Sequence, residues 1–226
     1  MTSDELCAEM RRITGDEVIL MFSRGKDSIA SYYQLKRFFK KIHLVYKYNV
    51  PNLTFVNESI KYFEDKFGEK IIQIPSSELF KKFNKFLYQS PQHAEIILKV
   101  DLPTHTFKVY DEYLPKSLKC QKAYKAHGVR AFDTLMRRMV IKKHGAVNPK
   151  NKTFYPIFDW DIKRVKDCLN ENKIKLPVDY ELWGKSFDGL DYRFIKPLKD
   201  RFPDDYQKIK EMFPLIDLEI MRYENI

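Results

Sequence analysis

The chain has little of what staples or hinges a small protein. Its 226 residues include three cysteines and seven glycines. Cys7, Cys120 and Cys168 are too widely spaced for a disulfide framework. They also show no metal-ligand spacing with one another or with the five histidines, His43, His93, His105, His127 and His144. A few lone thiols fit a reducing compartment, so a cytoplasmic location is expected. Long apolar runs are missing too: the longest, residues 18–22, is far short of the ~20 residues that span a bilayer. No membrane partner is therefore expected. The opening residues have neither a basic stretch nor an apolar one behind it, so no secretory signal is expected. Internal repeats and low-complexity tracts are absent.

What is present is core material and positive charge. Apolar residues make up 44% and aromatics 15%, which excludes wholesale disorder. The length suits one globular domain or a domain with a tail, and two full domains would be cramped. Forty-one Lys and Arg against 31 Asp and Glu leave a net charge of +10. The basic residues come in short clusters such as Arg11-Arg12, Lys36-Arg37, Arg137-Arg138 and Lys142-Lys143. Three readings fit them: a nucleic-acid partner, a polyphosphate ligand, or solvated helix faces.

Hydrophobic periodicity orders the first third of the chain. Residues 4–14 place Leu6, Met10 and Ile13 on one side of a short helix. Residues 17–22 form a continuous apolar run, which suits a strand buried on both faces of a parallel sheet. Helical spacing follows over 28–39, a strand over 42–48, a helix over 54–67 ended by Gly68, and a strand over 70–74. This alternation is that of an α/β layered fold with right-handed crossovers. Residues 87–119, with Pro91, Pro103 and Pro115, read as a lid or insertion. A helix is expected over 120–126, a strand end and loop at 127–130, and helices over 131–144 and 161–172, the last capped by Asp159 or Asp161. After Pro177 the chain reads as loop until a short helix between Pro203 and Pro214.

The chemistry gathers at Ser23-Arg24-Gly25-Lys26-Asp27-Ser28, between the first strand and the second helix. A strand-to-helix turn aims backbone amides and the positive end of the helix dipole outward, toward an anion. Gly25 lets the backbone approach closely and Lys26 adds a mobile charge. Ser23 and Ser28 offer hydroxyls, and Ser28 is also a candidate helix cap. A Walker A loop is excluded: Leu20 stands where its first glycine belongs, and Asp27 where Ser or Thr should follow the lysine. Farther on, Arg130 has the fork geometry for phosphate or sulfate oxygens, and Arg137 lies two helical turns beyond. Asp133 either holds one of these arginines or caps the helix that starts there.

The hexapeptide resembles the Ser-Gly-Gly-Lys-Asp-Ser loop of the adenine nucleotide alpha-hydrolase-like superfamily, the PP-loop proteins, with Arg24 in place of the first glycine. Three later segments resemble the phosphoadenosine phosphosulfate (PAPS) reductase-like branch. They are Lys119-Cys120 through Lys125, Gly128-Val-Arg130 through Asp133, Thr134 and Arg137, and Tyr155-Pro156 through Trp160. The resemblance covers about residues 15–185. It implies a parallel-sheet, Rossmann-like (HUP-type) three-layer sandwich over residues 1–185, with residues 186–226 as an irregular C-terminal extension packed on the same domain. It implies binding of ATP or a related adenine nucleotide by Ser23, Arg24, Gly25, Lys26, Asp27, Ser28, Lys125, Gly128, Arg130 and Arg137. Cleavage between the α- and β-phosphates is then expected, with Lys26, Asp27 and Arg130 as the catalytic set and Mg²⁺ bridging phosphates. Truncated members of this type resemble those of phages and mobile elements.

The branch's reductase chemistry does not carry over. It depends on a C-terminal Glu-Cys-Gly-Leu-His segment, and no cysteine follows Cys168. Paired cysteines for an iron–sulfur cluster are missing as well, so no cluster and no protein metal ligand is expected. Two rivals stay open: a sulfonucleotide reductase using a non-standard cysteine, and a non-catalytic nucleotide sensor or nucleic-acid adaptor. The segment at 186–193 reads equally as a closure over the site or as a tight loop anchored by Phe187 and Leu190.

Overall fold

The computed structural model describes residues 1–102 and 107–224, so Pro103, His105 and the last two residues lie outside the described residues. In chain order the elements begin with α1 (Ser3–Thr14), β1 (Glu17–Met21), α2 (Lys26–Lys36), β2 (Lys41–Tyr48), α3 (Thr54–Phe67) and β3 (Ile71–Pro75). Next come α4 (Ser77–Asn84), α5 (Pro91–Val100), α6 (Phe107–Ser117), β4 (Lys125–His127), α7 (Leu135–His144), β5 (Val147–Asn148) and β6 (Thr153–Phe154). The chain ends in helices α8 (Ile162–Glu171), α9 (Asp179–Trp183), α10 (Tyr192–Arg201), α11 (Pro203–Met212) and α12 (Asp217–Glu224).

Among the described residues one sheet carries six strands in the order β3-β2-β1-β4-β6-β5. β1 runs parallel to both β2 and β4, β4 runs parallel to β6, and the short β5 pairs antiparallel with β6. Val18, Ile19 and Leu20 of β1 are fully buried, as a central strand of a parallel sheet requires. Helices α1 and α2 pack on β1, and α2 also packs on β4 and α8. This is the layered α/β architecture expected from the apolar pattern, and its mostly parallel sheet is that of the three-layer sandwich the resemblance implied.

The differences lie where partners distant in sequence decide. Residues 120–126 form a turn and then β4 rather than a helix. The Ala123 N–H donates to the Cys120 carbonyl (2.9 Å), and the Ile19 N–H of β1 donates to the Tyr124 carbonyl (3.1 Å). Sheet pairing therefore overrides local propensity. The segment read as an irregular lid contains α5 and α6, and α10 occupies part of the stretch read as loop after Pro177. α5 has the signature of a helix start, with Ser90 accepting from the His93 amide and Pro91 at the first position.

By contact density the chain forms two compact units, each built from separated segments. The first comprises Met1–Lys47, Glu64–Gln73 and Tyr110–Leu176; the second comprises Tyr48–Phe63, Ile74–Val109 and Pro177–Ile226. The second is centred on aromatic rings: Phe55 meets Trp183, Phe187 and Phe202 at centroid distances of 5.9, 5.7 and 5.4 Å. There the buried Asp205 of α11 accepts from the Thr54 and Phe55 amides that open α3, at 2.8 and 3.2 Å. In the 186–193 segment Phe187 and Leu190 are buried, and the Phe187 amide donates to Asp179 (2.8 Å).

Candidate functional site

β1 delivers the hexapeptide to the start of α2, and the turn is held mainly by its own serines. The Ser28 hydroxyl donates to the Gly25 carbonyl (2.8 Å) and accepts from the Ser23 amide and hydroxyl, both at 3.2 Å. Ser28 thus ties the turn across its mouth instead of capping the helix. The N-cap is Gly25, which has no side chain to cap the first-turn amides. Arg24 adopts φ +62°, the left-handed region that favours glycine. An arginine therefore occupies a backbone conformation that glycine adopts freely. The Arg24 side chain is fully buried, with its guanidinium over the Tyr46 ring at 5.3 Å.

A line of alternating charges runs out from the turn. Lys26 Nζ lies 3.2 Å from Asp27, and Asp27 accepts from Arg130 Nε at 2.6 Å. Arg130, 3% exposed, also donates through Nη1 to the Trp160 carbonyl (3.4 Å), and its Nη2 lies 3.6 Å from Asp133. Asp133 in turn pairs with Arg137 at the head of α7. Thr134 is the α7 N-cap, accepting from the Arg137 amide at 3.2 Å. Of the two roles open to Asp133, the structure gives it the holding of arginines. All three guanidinium nitrogens of Arg130 face protein groups, so Arg130 acts as a fixed hub under the turn.

Gly128 explains how the second motif reaches the first. A Cβ on it would lie 2.8 Å from the Asp27 carbonyl carbon and 2.8 Å from the Ser28 nitrogen. Only glycine lets this backbone press against the loop. Lys125 lies deeper, buried in β4 beside Ile19 of β1, so it is a strand residue and not a helix lysine. Arg137 is 45% exposed. Around it, α7 is exposed along most of its length: Leu135, Met136, Met139 and Val140 face solvent together with Arg138, Lys142 and Lys143, and Ile141 alone is buried. A groove of about 580 Å³ opens between α2 and α8, lined by Tyr33, Gln34, Arg37, Trp160, Arg164 and Cys168 among others, and no residue of the turn borders it.

The sequence missed one constellation. The ligand atoms of Glu17, His43 and Cys120 all lie within 4.8 Å of one another. Their separation along the chain gave no metal-ligand spacing; strand register and the segment before β4 bring them together. Glu17 Oε2 is 2.8 Å from His43 Nε2. Burial, followed by the Glu17 carboxylate, pushes the Cys120 thiol above its ordinary range. Cys120 stands beside the first residue of β1, whereas the turn follows the last. At about 3.3 Å per strand residue, Glu17 and Ser23 are on the order of 20 Å apart.

No protein-family model and no curated protein matches this chain. Solved structures do. U34-tRNA thiolase NcsA from Methanococcus maripaludis, with its [4Fe-4S] cluster, superposes with a TM-score of 0.50 at 14% identity, covering 94% of this chain and 78% of its own. PAPS reductase from Candida auris, in a phosphate complex, gives 0.47 at 14% identity over 83% of this chain and 91% of its own. NH3-dependent NAD synthetase from Campylobacter jejuni subsp. jejuni NCTC 11168, in complex with nitrate, gives 0.48 at 11% identity over 97% and 91%. At 14% identity the likeness to NcsA shows a shared fold, a layered α/β architecture of the kind that the resemblance of residues 23–28 implied. The expectation that no iron–sulfur cluster or metal ligand is involved does not stand. NcsA holds a [4Fe-4S] cluster on this fold, and here a thiol, an imidazole and a carboxylate converge where linear spacing had excluded them.

Proposed function

We propose that this chain is an enzyme that binds ATP or a related adenine nucleotide through the turn at residues 23–28 and cleaves between the α- and β-phosphates. The observation that carries this reading is the glycine-capped turn, with Lys26 and Asp27 in the first turn of α2 and Arg130 locked beneath them. Backbone amides and the helix dipole receive the phosphate oxygens. Lys26 supplies charge at the surface of the turn, Arg130 supplies fixed charge below it, and Arg137 supplies a third cation from α7. A nucleophile attacks the α-phosphorus, the bond to the bridging oxygen breaks, and pyrophosphate leaves. The product is an adenylylated acceptor, or AMP when water attacks. Asp27 positions Arg130 rather than acting as a base.

The test is calorimetric titration of ATP into the wild type and Lys26→Ala, paired with turnover of ATP labelled at the α-phosphate. Loss of a charge-assisted contact worth about 1.5–3 kcal/mol weakens binding by roughly 10- to 100-fold. Equal affinity for both proteins, or no labelled AMP or adenylylated product with any acceptor supplied, would sink the proposal.

A second observation bears on the acceptor. α7 begins at the Asp133–Arg137 pair and exposes Arg138, Lys142 and Lys143 beside it. A polyanionic acceptor, a polynucleotide, fits that helix. Cys120, buried at the far end of β1, does not favour the reductase alternative.

A further inference from the structure

We propose that Glu17, His43 and Cys120 form a binding site for a single divalent ion of the Zn²⁺ class, separate from the nucleotide turn. In the parallel pairing Glu17 aligns with Lys41 and Ile19 with His43, so Glu17 and His43 share one face of the sheet at its N-terminal end. Cys120 is set by the end of α6. Lys119 takes a left-handed φ of +55°, and the Cys120 amide bonds back to the Pro115 carbonyl at 2.9 Å. That closure fixes where the thiol follows the helix. The trio therefore rests on three separate backbone elements, none of them a mobile tail.

The donors suit the ion. A thiolate, an imidazole and a carboxylate form a mixed S, N, O set of the kind that holds tetrahedral Zn²⁺. With metal–ligand distances of about 2.0–2.3 Å, a tetrahedral site separates its donors by about 3.3–3.7 Å. Here the donor atoms lie no more than 4.8 Å apart, and the Glu17–His43 contact is 2.8 Å. A rotation of the Glu17 side chain, which is 46% exposed, closes one distance and opens the other. The same exposure leaves the fourth position to water. One thiolate in the set suits a lone ion rather than a cluster, which is ordinarily held by four. Binding displaces the Cys120 proton to solvent, and the ion ties β1, β2 and the lead-in to β4 together.

The full chain, stripped with a chelator and titrated with Co²⁺, is expected to develop a sulfur-to-cobalt charge-transfer band and visible ligand-field bands that saturate near one equivalent and vanish when Zn²⁺ is added. Cys120→Ser removes the charge-transfer band, and His43→Gln weakens Zn²⁺ binding by roughly 10-fold or more. Glu17→Gln, at a half-exposed position, tests the third ligand if Cys120→Ser does not fold, and should also weaken binding. Lys26→Ala leaves the cobalt spectrum unchanged, which separates this site from the turn. The proposal is overturned by a wild type with no charge-transfer band, by a band that survives Cys120→Ser, or by an iron–sulfur chromophore that depends on Cys120.

Discussion

Asp27 and Arg130 are a half-hidden carboxylate and a fully hidden guanidinium 2.6 Å apart, so each answers for the other's burial. Asp27→Leu leaves buried Arg130 with only the longer 3.6 Å contact to Asp133 and an unpaired Nε, and a loss of about 1–3 kcal/mol is expected in urea unfolding. The smaller change, Asp27→Asn, keeps the shape and should cost less. If both variants unfold with wild-type midpoints, the pair is not the support described above. Gly128→Ala tests a different force. Its methyl group would meet loop backbone at 2.8 Å, so the turn must shift, with an expected cost of about 1–3 kcal/mol and weaker ATP binding in the same protein. Each of these residues was legible in the sequence as a member of a motif. Their pairing was not, because Asp27 and Arg130 are 103 positions apart and nothing local records that distance.

The last three helices respond to acid. Asp217 at the head of α12 receives Lys210 of α11 at 2.5 Å and Lys199 of α10 at 3.2 Å, together with the Tyr206 hydroxyl. Lys210, then Tyr206 and Lys199, hold its carboxyl well below the ordinary carboxylate range. For Asp205, burial alone would raise the pKa, but Lys208 and the α3 amides outweigh it and the carboxyl is lowered. A depressed folded-state pKa gives stability that is complete above about pH 4 and is lost as pH falls below it. The stability gap between wild type and Asp217→Asn, followed by urea melts from pH 6 down to pH 2.5, should therefore shrink with acidification; a constant gap would contradict the pairing. Among the elements, β1 to β3 and α3 were legible because their apolar pattern is strong and their neighbours are near in sequence. β4 was not: its three residues take their form from β1, about a hundred positions upstream.

At the scale of the molecule the charge of +10 acts as a field, and α7 is one place where it meets solvent. If a polynucleotide is the acceptor, its affinity falls steeply with salt. Four phosphates neutralised on a single strand give a slope of about −3 in log affinity against log salt concentration. Lys142→Ala with Lys143→Ala should flatten that slope by about 1 to 2, read by fluorescence anisotropy with labelled tRNA. A slope untouched by the double variant would move the contact elsewhere. The net charge was plain from composition, but its concentration on an exposed helix that also bares Leu135, Met136 and Met139 was not. The close approach of Gly128 to Asp27 and Ser28 also bears on biosynthesis. A nascent chain that has emerged only as far as β3 already has its strand, turn and helix, yet the wall that presses the turn into shape is still unsynthesised. The phosphate seat proposed above would be completed late, when β4 docks, and on that reading ribosome-bound fragments that stop short of residue 130 should not retain nucleotide.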